Sequence, residues 1–247
     1  MNIIKLNAID STNSYLKKLA HEKALQSYTV VTANYQLKGR GQLGTTWSSE
    51  NGKNLIFSVL INFENLKASN QFYLSMAISL SILKTVKMNV KMPIWVKWPN
   101  DILAEKDKLA GILIENALRG NYINQSVIGV GVNVNQKEFP DNIGNITSLA
   151  NIVGTDFNKD QLLQSIIMNM QYFVNFIHNE EFSKLKELYI ASLYKYNIPA
   201  MFEDFEGITF LGKIVDISES GRLVIELENE TTRKFSLKEI KFASRLK

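Results

Sequence analysis

YTVVTANYQLKGRGQLGTTW, residues 28–47, is a β-branched run that breaks into a glycine-rich segment and closes on an aromatic. Residues 28–34 read as a buried strand, because Val, Thr and Tyr fit a pleated surface. The chain then runs through GRGQLGTTW, from Gly39 to Trp47. Glycine lets backbone amides approach one another and turn inward, so this loop is expected to form a concave anion nest. Arg40 adds a planar, permanently charged fork suited to a carboxylate or a phosphate. A plain connection between strands is equally consistent with a glycine-rich loop.

Working outward, STNSYLKKLAHE (11–22) opens on a capping residue, Asp10 or Ser11. Tyr15, Leu16, Leu19 and Ala20 then make one apolar face, which predicts a helix. NLIFSVLINF (54–63) is a second strong strand, and FYLSMAISLSILKTV (72–86), apolar almost all round, predicts a helix buried in the main core. IWVKW (94–98) is a strand stopped by Pro99, with Asn100 and Asp101 completing a turn. Residues 101–105 and 108–118 read as strands joined by the polar EKDK, and 122–135 as another, in which Gly129 and Gly131 mark a close approach to the backbone. Residues 160–179 form an amphipathic helix and 181–192 a second. From about Asn197 the runs ITFLGKIVDI, RLVIELEN and RKFSLKEIKF alternate, which predicts a small antiparallel barrel or sandwich beginning near residue 195.

The chain has 247 residues, 45% hydrophobic and 21% charged, a size for one large domain or a large one with a small companion. It contains no cysteine, which removes disulfides, Cys-ligated zinc and thiol catalysis. His21 and His178 are far apart and read as surface helix residues, so neither a His-based metal site nor a Ser-His-Asp triad is expected. The net charge of +4 comes mostly from lysines interleaved with acids, a solvated surface rather than a nucleic-acid stripe. Arg40, Arg119, Arg222, Arg233 and Arg245 are the five arginines, so one inside the glycine loop suggests that fork geometry is wanted there. The N-terminus lacks an apolar signal core, and no apolar run reaches the roughly 18 residues of a membrane span. A cytoplasmic protein without a membrane partner is expected.

Three further motifs carry chemistry. In KWPND, the turn is expected to bring Asp101 near Lys97 as a paired lysine and carboxylate, the alternative being a surface ion pair of little energetic worth. In KLAG, Lys108 opens an apolar strand; it is either a surface residue laid along apolar neighbours or a site residue beside backbone exposed at Gly111. Ser11, Thr12 and Asn13 are explained by helix capping, and also by ligand contact at a helix N-terminus.

STN, YQLKGRGQLGTTW, VKWPNDIL, KLAGILIE and GVGVNVN, in this order, resemble the biotin protein ligases. The resemblance implies an α+β fold: a mixed-sheet catalytic domain over 1–195, similar to class II aminoacyl-tRNA synthetases, and an SH3-like β domain over 196–247. It implies activation of biotin by ATP to biotinyl-5'-AMP, then transfer to a lysine of a biotin carboxyl carrier protein. Ser11, Thr12, Asn13 and Gln36 would hold the polar ring end of biotin. Gly39, Arg40 and Gly41 would cover its carboxylate and the phosphate, and Gly111, Ile112, Gly129 and Gly131 would line the slot. Lys108 would bridge the carboxylate and the α-phosphate, with Arg40, Lys97 and Asp101 completing the catalytic set. Gln42, Lys97, Asn100, Asp101 and Asn133 would face the nucleotide, and Trp47 would pack beneath the loop on that side. Magnesium would be held through the ATP phosphates without a dedicated protein cage.

The frequent GRGR of the family is GRGQ here, so Gln42 replaces a guanidinium with a neutral amide, and Thr45 and Thr46 stand where basic residues are common. With STN at residue 11, no DNA-binding helix-turn-helix, no DNA partner and no repression are expected; the protein would be a monomer or homodimer. Two alternatives stand beside this reading. One is a lipoate or octanoate ligase of the same fold, against which KWPND and KLAG argue; the other is a non-catalytic biotin-binding regulator.

Overall fold

The computed structural model describes residues 2–140 and 144–243; residues 244–247 of the expected second unit, Arg245 among them, lie outside the described residues. The main sheet is organised around its most apolar strand. β3 (Leu55–Lys67) begins with seven consecutive buried residues, the mark of a strand covered on both faces. It lies between β2 (Thr29–Gln36) and β7 (Tyr122–Val132), and the sheet continues through β6 (Asp107–Arg119) and β5 (Asp101–Ala104) to β4 (Ile94–Lys97). At the other edge β1 (Asn2–Ile9) pairs parallel with β2, while all other pairings are antiparallel, so the seven-stranded sheet is mixed.

α1 (Thr12–Glu22) covers one face through a small cluster of Leu16, Val31, Leu60 and Val127. The other face carries α2 (Gln71–Lys87), which is buried over most of its circumference, as its composition predicts. α3 (Leu149–Val153) is a short helix beyond β7, and α4 (Lys159–His178) and α5 (Phe182–Ala191) pack against α2. His21 and His178 are exposed at helix ends, as expected. No helix among the described residues is long and apolar enough to cross a membrane.

The chain reaches its second sheet along the outer edge of β4: Val96 N donates to Ser192 O at 2.8 Å, and Tyr194 N to Val96 O at 2.8 Å. The strands β8 (Ala200–Asp204), β9 (Thr209–Ile217), β10 (Leu223–Leu227), β11 (Thr232–Phe235) and β12 (Ile240–Phe242) form an antiparallel sheet in the order β11-β10-β9-β8-β12. Phe202, with centroids 6.0 Å from Phe210 and 4.9 Å from Phe242, anchors an aromatic layer on its inner side. β1, α3 and β8 are elements that the sequence pattern did not indicate.

Candidate active site

One group of polar side chains gathers where the N-terminus of α1 meets the end of β2. Gln36 Oε1 accepts from both the backbone N–H and the hydroxyl of Thr12, at 2.8 and 3.0 Å. That turns the amide so that Nε2 remains the donor side. Ser58, fully buried on β3, places its Oγ 2.7 Å from Thr12 Oγ1 and 2.5 Å from Asn13 Oδ1. Asn13 Nδ2 donates to Glu115 of β6 at 2.9 Å. Ser11 caps α1, accepting from Ser14 N, so capping and a place in the pocket wall coexist at this residue.

Glu115 ties this polar end to the glycine loop. Its carboxylate meets Lys17 at 2.8 Å and Arg40 Nη2 at 2.9 Å, besides Asn13. Burial alone would raise its pKa, but the Lys17 and Asn13 hydrogen bonds and the charges of Arg40 and Lys17 outweigh it, and the pKa lies below the usual carboxylate value. Neither Ser58 nor Glu115 was singled out in sequence. Ser58 sits within an apolar run, and Glu115 alternates like a solvent-facing strand residue.

The glycine loop is a tight hairpin rather than an open nest. Gly41 N donates to Thr45 O at 2.7 Å and Trp47 N to Gly39 O at 3.0 Å, around a short 3₁₀ turn at Gln42–Gly44. Those two amides are therefore spent within the loop. Gly39 lies against the Trp47 backbone and does not form part of the pocket wall, whereas Arg40, Gly41, Gln42 and Trp47 do. The Trp47 indole lies over Gly131 and Gly111; at Gly131 a Cβ would collide with the ring. Gly129 similarly leaves room for the Asn13 amide. The space expected at these glycines for a ligand is shared with Trp47 and Asn13. Trp47 Nε1 is buried against Gly131 and has no hydrogen-bond partner among the described residues.

The second constellation also departs from expectation. Lys97 and Asp101 are partners across the β4–β5 ladder, yet Asp101 pairs with Lys108, Nζ to Oδ1 at 2.7 Å, and not with Lys97. The cross-strand partner of Asp101 on the other side is Gly111. The Lys108 chain runs over Gly111 to the carboxylate, beside the edge of the Trp47 ring. Lys108 Nζ also stands 5.8 Å from the centre of the Trp47 ring. Asn100 is buried and its amide is bonded to the carbonyl of Ile112. Asn133 does not reach the pocket wall: it is buried behind it, and its backbone N–H donates to Leu109 O at 2.9 Å.

Thr12, Gln36, Arg40, Trp47, Asp101 and Lys108 line one pocket of about 350 Å³, closed on one side by residues of the second sheet such as Leu223, Ile240 and Phe242. Arg40, Lys97, Lys108, Lys238 and Lys241 are in its wall, and Asp101 is the one carboxylate among its described lining residues. Along β7, Gly129 marks the polar end and Gly131 the cationic end, two strand residues or about 7 Å apart. Residues 6–133, which supply both ends, match the model of the biotin/lipoate A/B protein ligase family.

The chain belongs to that family. Residues 202–240 match the biotin protein ligase C terminal domain. The bifunctional ligase/repressor BirA of Bacillus spizizenii is 26% identical over 238 residues, covering 95% of this chain and 72% of that protein. The biotin–[acetyl-CoA-carboxylase] ligase of Mycobacterium tuberculosis is 28% identical over 232 residues, covering 90% and 82%. Among solved structures, the biotin protein ligase from Aquifex aeolicus in complex with biotin and ATP superimposes with a TM-score of 0.79 at 28% identity, covering 98% of this chain and 99% of that one. The mixed main sheet and the antiparallel C-terminal sheet are the architecture of this family of ligases.

Proposed function

We propose that this protein is an ATP-dependent biotin protein ligase, with a catalytic unit over 1–195 and a small β unit over 196–247. The observation that carries the reading is the polarity of the pocket. A fixed amide donor at Gln36 stands at one end and the Lys108–Asp101 pair, with Lys97 alongside, at the other. Biotin has that polarity, a neutral ureido ring joined by an apolar chain to a carboxylate. Gln36 Nε2 would donate to the ring carbonyl, Ile112 would face the apolar chain, and Lys108 would meet the carboxylate.

In the first step a biotin carboxylate oxygen attacks the α-phosphorus of ATP, forming the mixed anhydride biotinyl-5'-AMP and expelling pyrophosphate. In the second, a carrier-protein lysine amine attacks the acyl carbon and AMP leaves. Negative charge accumulates on carboxyl and phosphoryl oxygens in both, so fixed cations are the main catalytic requirement. Lys108 would stabilise the oxygens shared between acyl and phosphoryl groups, with Asp101 holding its ammonium in place. Arg40, Gln42 and Trp47 would cover the adenylate from the loop side. No side-chain nucleophile takes part.

Magnesium would arrive on the triphosphate and neutralise phosphate charge there. No cluster of three or more His, Cys, Asp or Glu residues that could hold a metal occurs among the described residues, and Asp101 is the lining carboxylate able to meet the ion. The reading places the enzyme in the cytoplasm, with a biotin carboxyl carrier protein as its macromolecular substrate. Biotin-dependent exchange of pyrophosphate into ATP tests the first step, and transfer of labelled biotin to a carrier domain tests the second. Absence of both with biotin would overturn the assignment.

A further inference from the structure

The turn from β4 to β5 presents Lys97 and Asp101 to the pocket, and the residues between them are each held by a different element. Trp98 Nε1 donates to the carbonyl of Gly221, in the turn between β9 and β10 of the second sheet, at 2.9 Å. The Pro99 carbonyl accepts from the hydroxyl of Tyr189 on α5 at 2.9 Å and from Ser75 on α2 at 3.4 Å. Tyr189 is completely buried, which raises the pKa of its hydroxyl and keeps it a donor. Asn100 is bonded to β6.

Gly221 is itself fixed from several directions. Its φ of +83° lies in the region that favours glycine, and a Cβ there would collide with the ring of Phe72 on α2. The turn is closed by Gly221 N to Ser218 O at 2.8 Å and by Ser218 N to Arg222 O at 2.9 Å, with Ser218 Oγ accepting from Arg222 N at 3.0 Å. The acceptor that Trp98 meets is therefore built into a rigid corner. It comes from a part of the chain 123 residues away, and Trp98 itself lines the pocket.

We propose that Trp98 is a positioning residue: through its bond to Gly221, the second sheet sets where the 98–101 turn holds Lys97 and Asp101, and so where Asp101 holds Lys108. The inference rests on the reading of this pocket as an adenylation site. It makes the second sheet part of the catalytic geometry at one named contact. The polar end at Thr12 and Gln36 is tied to α1, β3 and β6, and none of its bonds runs through this turn.

The test uses the full chain with Trp98→Phe, which keeps a ring and removes the N–H donor, and with Gly221→Ala, which displaces the acceptor. Pyrophosphate exchange is measured with ATP and biotin varied separately, alongside thermal unfolding. Loss of one hydrogen bond predicts a fall of roughly tenfold in kcat/KM for ATP in each variant, carried mainly by kcat because the displaced cations act on charge that develops in the transition state. Because both changes break one contact, the double variant should fall short of the product of the single effects. Constants within about twofold of the parent in both variants would overturn the inference, and so would a loss carried by KM alone with kcat unchanged. If the unmodified chain shows no biotin-dependent exchange, the parent reading fails. The inference is then decided separately by crystal structures of the parent and of Trp98→Phe: a Lys108–Asp101 separation that differs between the two supports it, and an unchanged one refutes it.

Discussion

Replacing Lys108 by alanine separates catalysis from folding in this protein. Its Nζ is 2.7 Å from Asp101, and the two side chains are 35% and 25% exposed. A pair so open to water is screened, so losing it should cost about 1 kcal/mol or less of stability. For a chain of this size that lowers Tm by about 2–4 °C. Transition-state charge is a different matter. Removing one preorganised donor from a developing oxyanion costs about 10²–10³ in rate, or about 2.7–4 kcal/mol. Lys108→Ala should therefore lose about 100-fold or more of its biotin-dependent pyrophosphate exchange while melting within a few degrees of the parent. The two measurements are made on the same preparation. Exchange within about tenfold of the parent would refute the role given to Lys108, because that loss is smaller than one such donor is worth.

Further outcomes follow from the loop and its neighbours. Gln42→Arg puts a permanent charge back into the pocket wall and should slow release of biotinyl-5'-AMP, measured by its dissociation from the enzyme; an unchanged rate would show that Gln42 costs nothing in retention. Glu115→Gln removes the counter-charge of Arg40 and Lys17 and should speed tryptic cleavage at Arg40 in the ligand-free protein. The Glu115 pKa is lowered on folding, so its contribution is fully present above about pH 4.5 and is lost as pH falls through the folded value. The stability gap between parent and Glu115→Gln should accordingly close on acidification through that window; a gap independent of pH would contradict the ionic clasp. Gly131→Ala drives a methyl into the Trp47 ring, so tryptophan fluorescence should shift and biotin binding weaken, whereas an unaltered spectrum would argue against that packing.

The elements legible in sequence were those with a strong pattern. β3 reads as an apolar run because both its faces are covered, and α2 because it is buried nearly all round. β1 gives a weak pattern because it is an edge strand with no fully buried residue, and among the described residues its one ladder partner, β2, holds it in parallel. The pocket residues were recognised through motif resemblance, which named residue types but not their partners. The choice of Asp101 between Lys97 and Lys108 depends on the register that sets Gly111 opposite Asp101, a relation between strands that the chain order does not show. The hairpin closure of the glycine loop is hidden in the sequence for a similar reason. Whether its amides face a ligand or one another is decided by the closing bonds to Gly39 and Thr45. Glu115 and Ser58 were invisible because their significance lies in what α1 and the loop bring to them.

A pocket with an amide donor at one end and a lysine–carboxylate pair at the other is suited to activating biotin as its adenylate. Pyrophosphate exchange into ATP, run side by side with biotin, octanoate and lipoate, tests it most directly. Exchange is expected with biotin, and none above background with the two fatty acids. Exchange driven by octanoate or lipoate in place of biotin would contradict it.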